Sequence, residues 1–321
     1  MQDLRWCGAC GLGCRLLDFR IEIPSIPVNG HSGTGAVESI GRYENRPVAF
    51  LTQHGKERVV EPVLASGLGC RVELVRGFDT DQLGTFTREI PRAGTQLEAA
   101  RAKAREGMRL SGHSLGLASE GSFGLDPMIG FFPWNFELLV WIDDDLELEV
   151  VGVGSSRNTN CTHLSSASWE EVTKFAEQIG FPEHQLIVRP VDEDDPRVQK
   201  GLADWDTLRT AFESAREQSE NGRVFVETDM RAHANPKRMS VIGEAAEDLV
   251  QKLRSACPQC HLPGFARVKS VPGRRCEACG CATDAPVAWV HGCLKCPYQE
   301  THPLEDVPKY VSPAECPNCN P

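Results

Sequence analysis

Short apolar runs and longer stretches of helical period take turns along the middle of this 321-residue chain. PVAFL, residues 47–51, is too short for a helix and too apolar to face water, which predicts a buried strand. In KERVVEPVLASG, Val59, Val60, Val63 and Leu64 fall at helical spacing, and CRVELV after it reads as a second strand. Residues 95–110 place Ala100, Ala104 and Met108 at four-residue steps, a smooth stripe along one helix face. Thr95 and Glu98 open that helix as a capping box. SLGLAS is a third strand. FELLVWI and LELEVVGVG flank Asp143, Asp144 and Asp145, which predicts an antiparallel hairpin with an acidic turn. Helices over 168–179, 204–218 and 236–255 then alternate with strands QLIVRP and RVFVET. Alternation with one hairpin predicts an α/β core on a mixed sheet.

Composition divides the chain in three. Residues 1–43, with their PVNGHSGTGAVESIG stretch, are small, polar and without period, as in a poorly ordered extension. Cys7, Cys10 and Cys14 in it are metal-ligand candidates lacking an evident fourth partner. Residues 44–255 form the core, and 256–321 a cysteine-rich region. The net charge is −11; residues 1–43 are balanced and 251–321 carry two extra basic groups, so 44–250 hold −13. Such a surface repels a polyanion, which excludes bulk nucleic-acid binding by the core but leaves nucleotide chemistry with a divalent cation. No apolar run approaches the roughly 18 residues of a membrane span. The start, MQDLRWCGACGLGC, lacks the apolar centre of a signal peptide, and a cytoplasmic protein with no membrane partner is expected.

Nine of the fourteen cysteines follow residue 256, mostly as close pairs, which without a secretion signal favours metal over disulfides. The pairs are Cys257/Cys260, Cys276/Cys279, Cys293/Cys296 and Cys316/Cys319. Two thiolates on a tight knuckle supply one edge of a tetrahedron and a second knuckle supplies the other, so eight thiolates predict two structural zinc sites with no open position. The simplest assignment joins 257/260 to 276/279 and 293/296 to 316/319, giving two small zinc ribbons in tandem; the alternative interleaves the knuckles. Cys281 is left over as a bystander. The ribbons either engage RNA or a protein or serve as a plain appendage.

The core has its own polar candidates. Ser119-Glu120-Gly121-Ser122 follows the apolar LGLA, and ligands of open α/β sheets collect beyond the carboxyl ends of such strands. Gly121 would permit a sharp turn there, and the hydroxyls and carboxylate suit a hard cation or a phosphate. After the first strand, Thr52, His54, Gly55 and Lys56 have matching character, with Lys56 placed to meet a phosphate at a helix N-terminus. Glu98 and Lys103 lie about 140° apart on their helix, able to flank one ligand without pairing. DTDQLGTFTREI puts Asp79, Asp81, Arg88 and Glu89 on one charged loop. ETDMRAHANPKRM sets Glu227, Asp229 and Arg231 at a strand end with Arg238 opening the next helix, either a metal and phosphate site or a structural ion network.

GTQLEAARAKA followed by LGLASEGSFG is similar to the purine nucleoside triphosphate pyrophosphatases of the inosine triphosphatase-like kind, over residues 47–155. The resemblance implies a mixed-sheet core of that type and a magnesium-dependent hydrolase. In it Lys56 and Lys103 would contact phosphates, while Glu98 and Glu120 hold the metal or activate water. His54 stands where that family has Asn, its lysine comes one residue early, and a single Glu120 replaces an Asp pair. Residues 44–321 also resemble an uncharacterised bacterial family through HGKE, GTFTREI, ASEGSFG, ETDMRA and the paired C-terminal CxxC knuckles. The leading expectation is a metal-dependent hydrolase of a phosphorylated small molecule, with a nucleotide as the first choice. The alternatives are a non-catalytic nucleotide sensor that uses its ribbons to bind RNA or protein, and an assembly factor with structural sites only.

Overall fold

A computed structural model describes residues 37–38, 41–78, 94–126, 130, 132–305 and 307–320. Cys7, Cys10, Cys14, the greater part of the expected extension, and Asp79, Asp81, Arg88 and Glu89 lie outside these residues.

The first sheet runs β3 (Arg71–Val75), β2 (Pro47–Leu51), β4 (Leu115–Leu125), β5 (Pro133–Asp143), β6 (Leu148–Ser156). β2 is parallel to both neighbours, whereas β4, β5 and β6 form an antiparallel meander, so the sheet is mixed. Helices α1 (Glu57–Leu68) and α5 (Pro236–Arg254) cover one face, packing Val60, Leu64, Ile242 and Leu249 against Phe50, Leu117, Leu139 and Trp141. The other face carries α2 (Gln96–Ser111), whose Ala100, Ala104 and Met108 meet Ala118, Leu138 and Val140. α5 crosses β6 at glycines: a Cβ on Gly152 would stand 2.3 Å from the Ala245 carbonyl oxygen.

The core holds a second sheet that the single-sheet expectation lacks. β7 (His163–Ser166), β10 (Val224–Thr228), β8 (Leu186–Arg189) and β9 (Gln199–Leu202) pair antiparallel in that order. They pack with α3 (Trp169–Ile179) and α4 (Trp205–Glu217) around a separate apolar cluster that includes Val172, Val188, Phe212 and Val226. This unit is inserted between β6 and α5. The two-residue pairing of β1 (Val37–Glu38) with β11 (Ser255–Ala256), and Tyr43 buried edge-on against Trp141, bring the folded body in ahead of residue 44.

β12 (Ala266–Pro272), β14 (Pro286–Gly292) and β15 (Gln299–Pro303) make a third, antiparallel sheet, and β13 (Arg275–Cys276) pairs with β16 (Tyr310–Val311). The three strands β12, β14 and β15 run up and down in the tail. None of the helices among the described residues is long and apolar enough to cross a membrane.

Candidate functional site

The chain leaves β2, returns as β3 on one side and then as β4 on the other, so β2 lies at a topological switch point, where α/β sheets bind ligands beyond their carboxyl ends. β2 ends at Leu51, and its register with β4 is Ala49 to Gly116 and Phe50 to Leu117. β4 continues to Leu125 against β5. Ser119-Glu120-Gly121-Ser122 is thus mid-strand, and the expected turn is absent. Gly121 has another cause: an added Cβ would lie 2.2 Å from Glu137 Oε1, because the Glu137 side chain from the facing strand occupies that space.

On the α5 side of the sheet, Lys56 is buried with its Nζ 3.0 Å from the Ser119 carbonyl and 3.3 Å from Ser119 Oγ. No carboxylate among the described residues forms an ion pair with it. Burial first, then the Arg238 guanidinium, push its ammonium down to about 7, with Glu120 and Glu137 opposing. Arg238 and Glu137 form a fully buried ion pair at 2.7 Å, and Arg238 also donates to the Met230 carbonyl at 2.6 Å. Asn135 donates to Glu137 Oε1 at 3.1 Å. His54, in left-handed backbone at φ 68°, stacks on His233 with ring centroids 5.0 Å apart. Burial and the positive groups around it lower His54 to about 3, and burial lowers His233 too. Arg231 grips buried Asp229, Nε donating to Oδ1 at 3.0 Å and to Oδ2 at 3.1 Å and Nη2 donating to Oδ2 at 2.5 Å.

On the α2 side, Lys103 pairs with buried Glu120. Gln96 donates to the Glu120 carbonyl at 2.8 Å and accepts from Ser122 Oγ at 3.0 Å, tying the helix start to β4. Four cations, Lys56, Lys103, Arg231 and Arg238, thus stand beside three acids, Glu120, Glu137 and Asp229. Among the described residues each of these acids pairs with one of the cations and Lys56 is the remainder.

The structure redistributes the sequence candidates. Lys56, Lys103, Ser119 and Glu120 converge, with His54, Gly55 and Arg231 close by. Glu98 does not join Glu120: its carboxylate accepts from the Thr95 amide at 2.7 Å, and Thr95 Oγ1 accepts from the Glu98 amide at 3.2 Å. Both residues are used by the helix cap. Thr52 bonds the neighbouring Gln53 carbonyl. Glu227 pairs with Arg189 in the second sheet. Glu137, Gln96, Asn135 and His233 escaped the sequence reading. Glu137 carried a signal, a lone acid inside the apolar run FELLVWI, since buried acids are rare unless paired.

The described residues contain two thiol groups able to hold a metal ion such as zinc: Cys257, Cys260, Cys293, Cys296 and Cys276, Cys279, Cys316, Cys319. This is the interleaved pairing, and the simplest assignment is corrected. The reason is topological. Seven residues of β12 carry the chain about 20 Å from one end of the sheet to the other, β14 carries it back and β15 returns it, so alternate knuckles share an end. Sulfur separations are 3.6 Å for 257–296, 3.4 Å for 260–293, 3.8 Å for 276–319 and 3.6 Å for 279–316. Metal–sulfur bonds of about 2.3 Å in a tetrahedron separate their sulfurs by about 3.8 Å, so the donor sets fit. No other group of three or more clustered metal-ligating side chains occurs among the described residues.

Comparison with known proteins adds a family. The chain belongs to the family described as a domain of unknown function, DUF6671, which matches residues 103–321. No curated protein and no solved structure matches it.

Proposed function

We propose that the region beyond the carboxyl end of β2, beside Ser119 and Glu120 of β4, binds the phosphate of a phosphorylated small molecule, with nucleotides the class to try first, and hydrolyses it. One observation carries this reading: among the described residues, Lys56 is a buried lysine held only by the neutral oxygens of Ser119. Unpaired charge is costly to bury, and an anionic ligand would supply the missing partner. Lys103 could swing from Glu120 to the same ligand, leaving the Glu120 carboxylate to orient the attacking water. Hydrolysis of a phosphoryl group needs little beyond such positioning and charge neutralisation. A magnesium ion would draw on Glu120 and on the ligand's own phosphates, the arrangement that ion favours. It would supply charge stabilisation on the phosphoryl oxygens.

A second reading, nucleotide sensing without turnover, is favoured by a specific feature: the three buried carboxylates are already engaged, Glu120 by Lys103, Glu137 by Arg238 and Asp229 by Arg231. In that reading the tail contacts RNA or a protein. For the thiol groups zinc is the proposed metal, in a structural role, because four thiolates leave no open position. The test is a nucleotide panel with magnesium, run on the wild-type protein and on Lys56→Met. Turnover lost in the variant supports the hydrolase, and saturable binding without turnover supports the sensor. Absence of both from the wild-type protein overturns the phosphate reading.

A further inference from the structure

The two thiol groups are near copies in their first knuckles and unlike in their surroundings. In the first, the Cys257 amide donates to the Leu262 carbonyl at 2.8 Å and the His261 amide to the Cys257 carbonyl at 2.9 Å. In the second, the Cys276 amide donates to the Cys281 carbonyl at 2.9 Å and the Gly280 amide to the Cys276 carbonyl at 3.0 Å. His261 and Gly280 share left-handed backbone, at φ 60° and 71°. Leu262 and Cys281 are therefore equivalent positions, and the second knuckle carries a fifth thiol where the first carries a hydrocarbon.

Their settings differ as well. The first group is fastened to the core: Lys295 Nζ donates to the Glu147 carbonyl at 3.0 Å, the Gly264 amide to the Lys252 carbonyl at 3.0 Å, and Cys257 is fully buried. Hydrogen bonds of the second group stay within residues 274–320, and Cys279, Cys319 and Cys281 are exposed. Cys281 follows Cys279 by two residues in the turn that the Cys276 amide closes onto the Cys281 carbonyl, and both thiols are exposed.

We propose that the second thiol group is an oxidant-responsive metal site, in which a small peroxide oxidises Cys279 and Cys281 resolves it. This rests on the reading of both groups as metal sites. The Cys279 sulfur attacks one peroxide oxygen; the O–O bond breaks, leaving a sulfenic acid and a hydroxide that takes a proton to become water. The Cys281 sulfur then attacks the Cys279 sulfur; the S–S bond forms, the S–O bond breaks, and the departing hydroxide takes the Cys281 proton as a second water. Two thiols are oxidised to one disulfide and one peroxide is reduced to two waters. The metal is left with three thiolates and is released. Exposed thiolates with a resolving thiol beside them are the ones that react in this way.

The experiment treats the full-length zinc-loaded protein with hydrogen peroxide, follows released zinc with a colorimetric chelator, and maps cysteines by alkylation and mass spectrometry. A zinc content near two per chain checks the metal reading separately. The expected result is one equivalent released about tenfold faster than the other, with a disulfide joining residues 279 and 281. Cys281→Leu rebuilds the sequence position already tolerated in the first knuckle. It should keep both zinc ions, lose the disulfide, and leave a sulfenic acid on Cys279 that dimedone traps. Release of both equivalents together, first oxidation at Cys257, Cys260, Cys293 or Cys296, or unchanged disulfide chemistry in Cys281→Leu would overturn the proposal even with two zinc ions bound.

Discussion

At the scale of residues, Lys56 exchanges the hydration of an ammonium for two oxygens of Ser119, and that exchange has a sign in pH. The folded protein releases this proton near 7, whereas the unfolded chain holds it to the ordinary 10.5. Between these values the unfolded state binds more protons, so this lysine makes stability rise with pH across that window, while its penalty is fully present below pH 7. Wild-type minus Lys56→Met stability, from denaturant midpoints at pH 7 to 10, should therefore increase with pH; a flat difference would show that the ammonium is solvated. Phosphate binding has the opposite dependence. It requires the charged form, so affinity should fall as pH rises through 7, with proton uptake on binding visible by calorimetry in buffers of different ionisation heat. The Glu137–Arg238 pair beside it is of another kind. Both groups are buried, and removing either leaves an unmatched charge worth about 3–5 kcal/mol.

Among the elements, α2 has two separable parts. Its start is a capping box made by Thr95 and Glu98, and its inner face delivers Lys103 and Gln96 to β4. Thr95→Ala should cost about 1 kcal/mol in thermal or chemical denaturation. The box, the alanine stripe and the acidic hairpin were all legible in the sequence, because each depends on neighbours a few residues apart. The continuation of β4 through Ser119-Glu120-Gly121-Ser122 was not. Polar and small residues resemble a strand end until the facing strand is known to fill the Gly121 space with Glu137 and α2 to meet Glu120 with Lys103. β7 and β9 escaped for a similar reason, being four-residue edge strands with little apolar content.

For the whole molecule, the tail grows directly from α5, and its apolar content is slight, so metal binding should supply much of its folding free energy. Exhaustive chelation under reducing conditions should expose backbone amides of residues 257–320 to hydrogen exchange while β4 and β5 keep their protection. Equal loss of protection in both regions would mean that the core and the tail fold as one cooperative unit. The first thiol group is seated on the turn between β5 and β6 through Lys295 and Glu147, which makes it the one whose loss should reach the core.

The residues alone determined what is local or chemical in kind: the helix and strand periods, the helix cap, and eight cysteines spaced as four knuckles. Spacing along a chain can identify donors, because thiolates with two residues between them must share a knuckle. Which knuckles come together, which acid meets which lysine, and why a glycine stands at 121 were decided only by the tertiary structure. An antiparallel meander brings alternate turns to the same end, and a sheet places on one face side chains that the chain order keeps far apart.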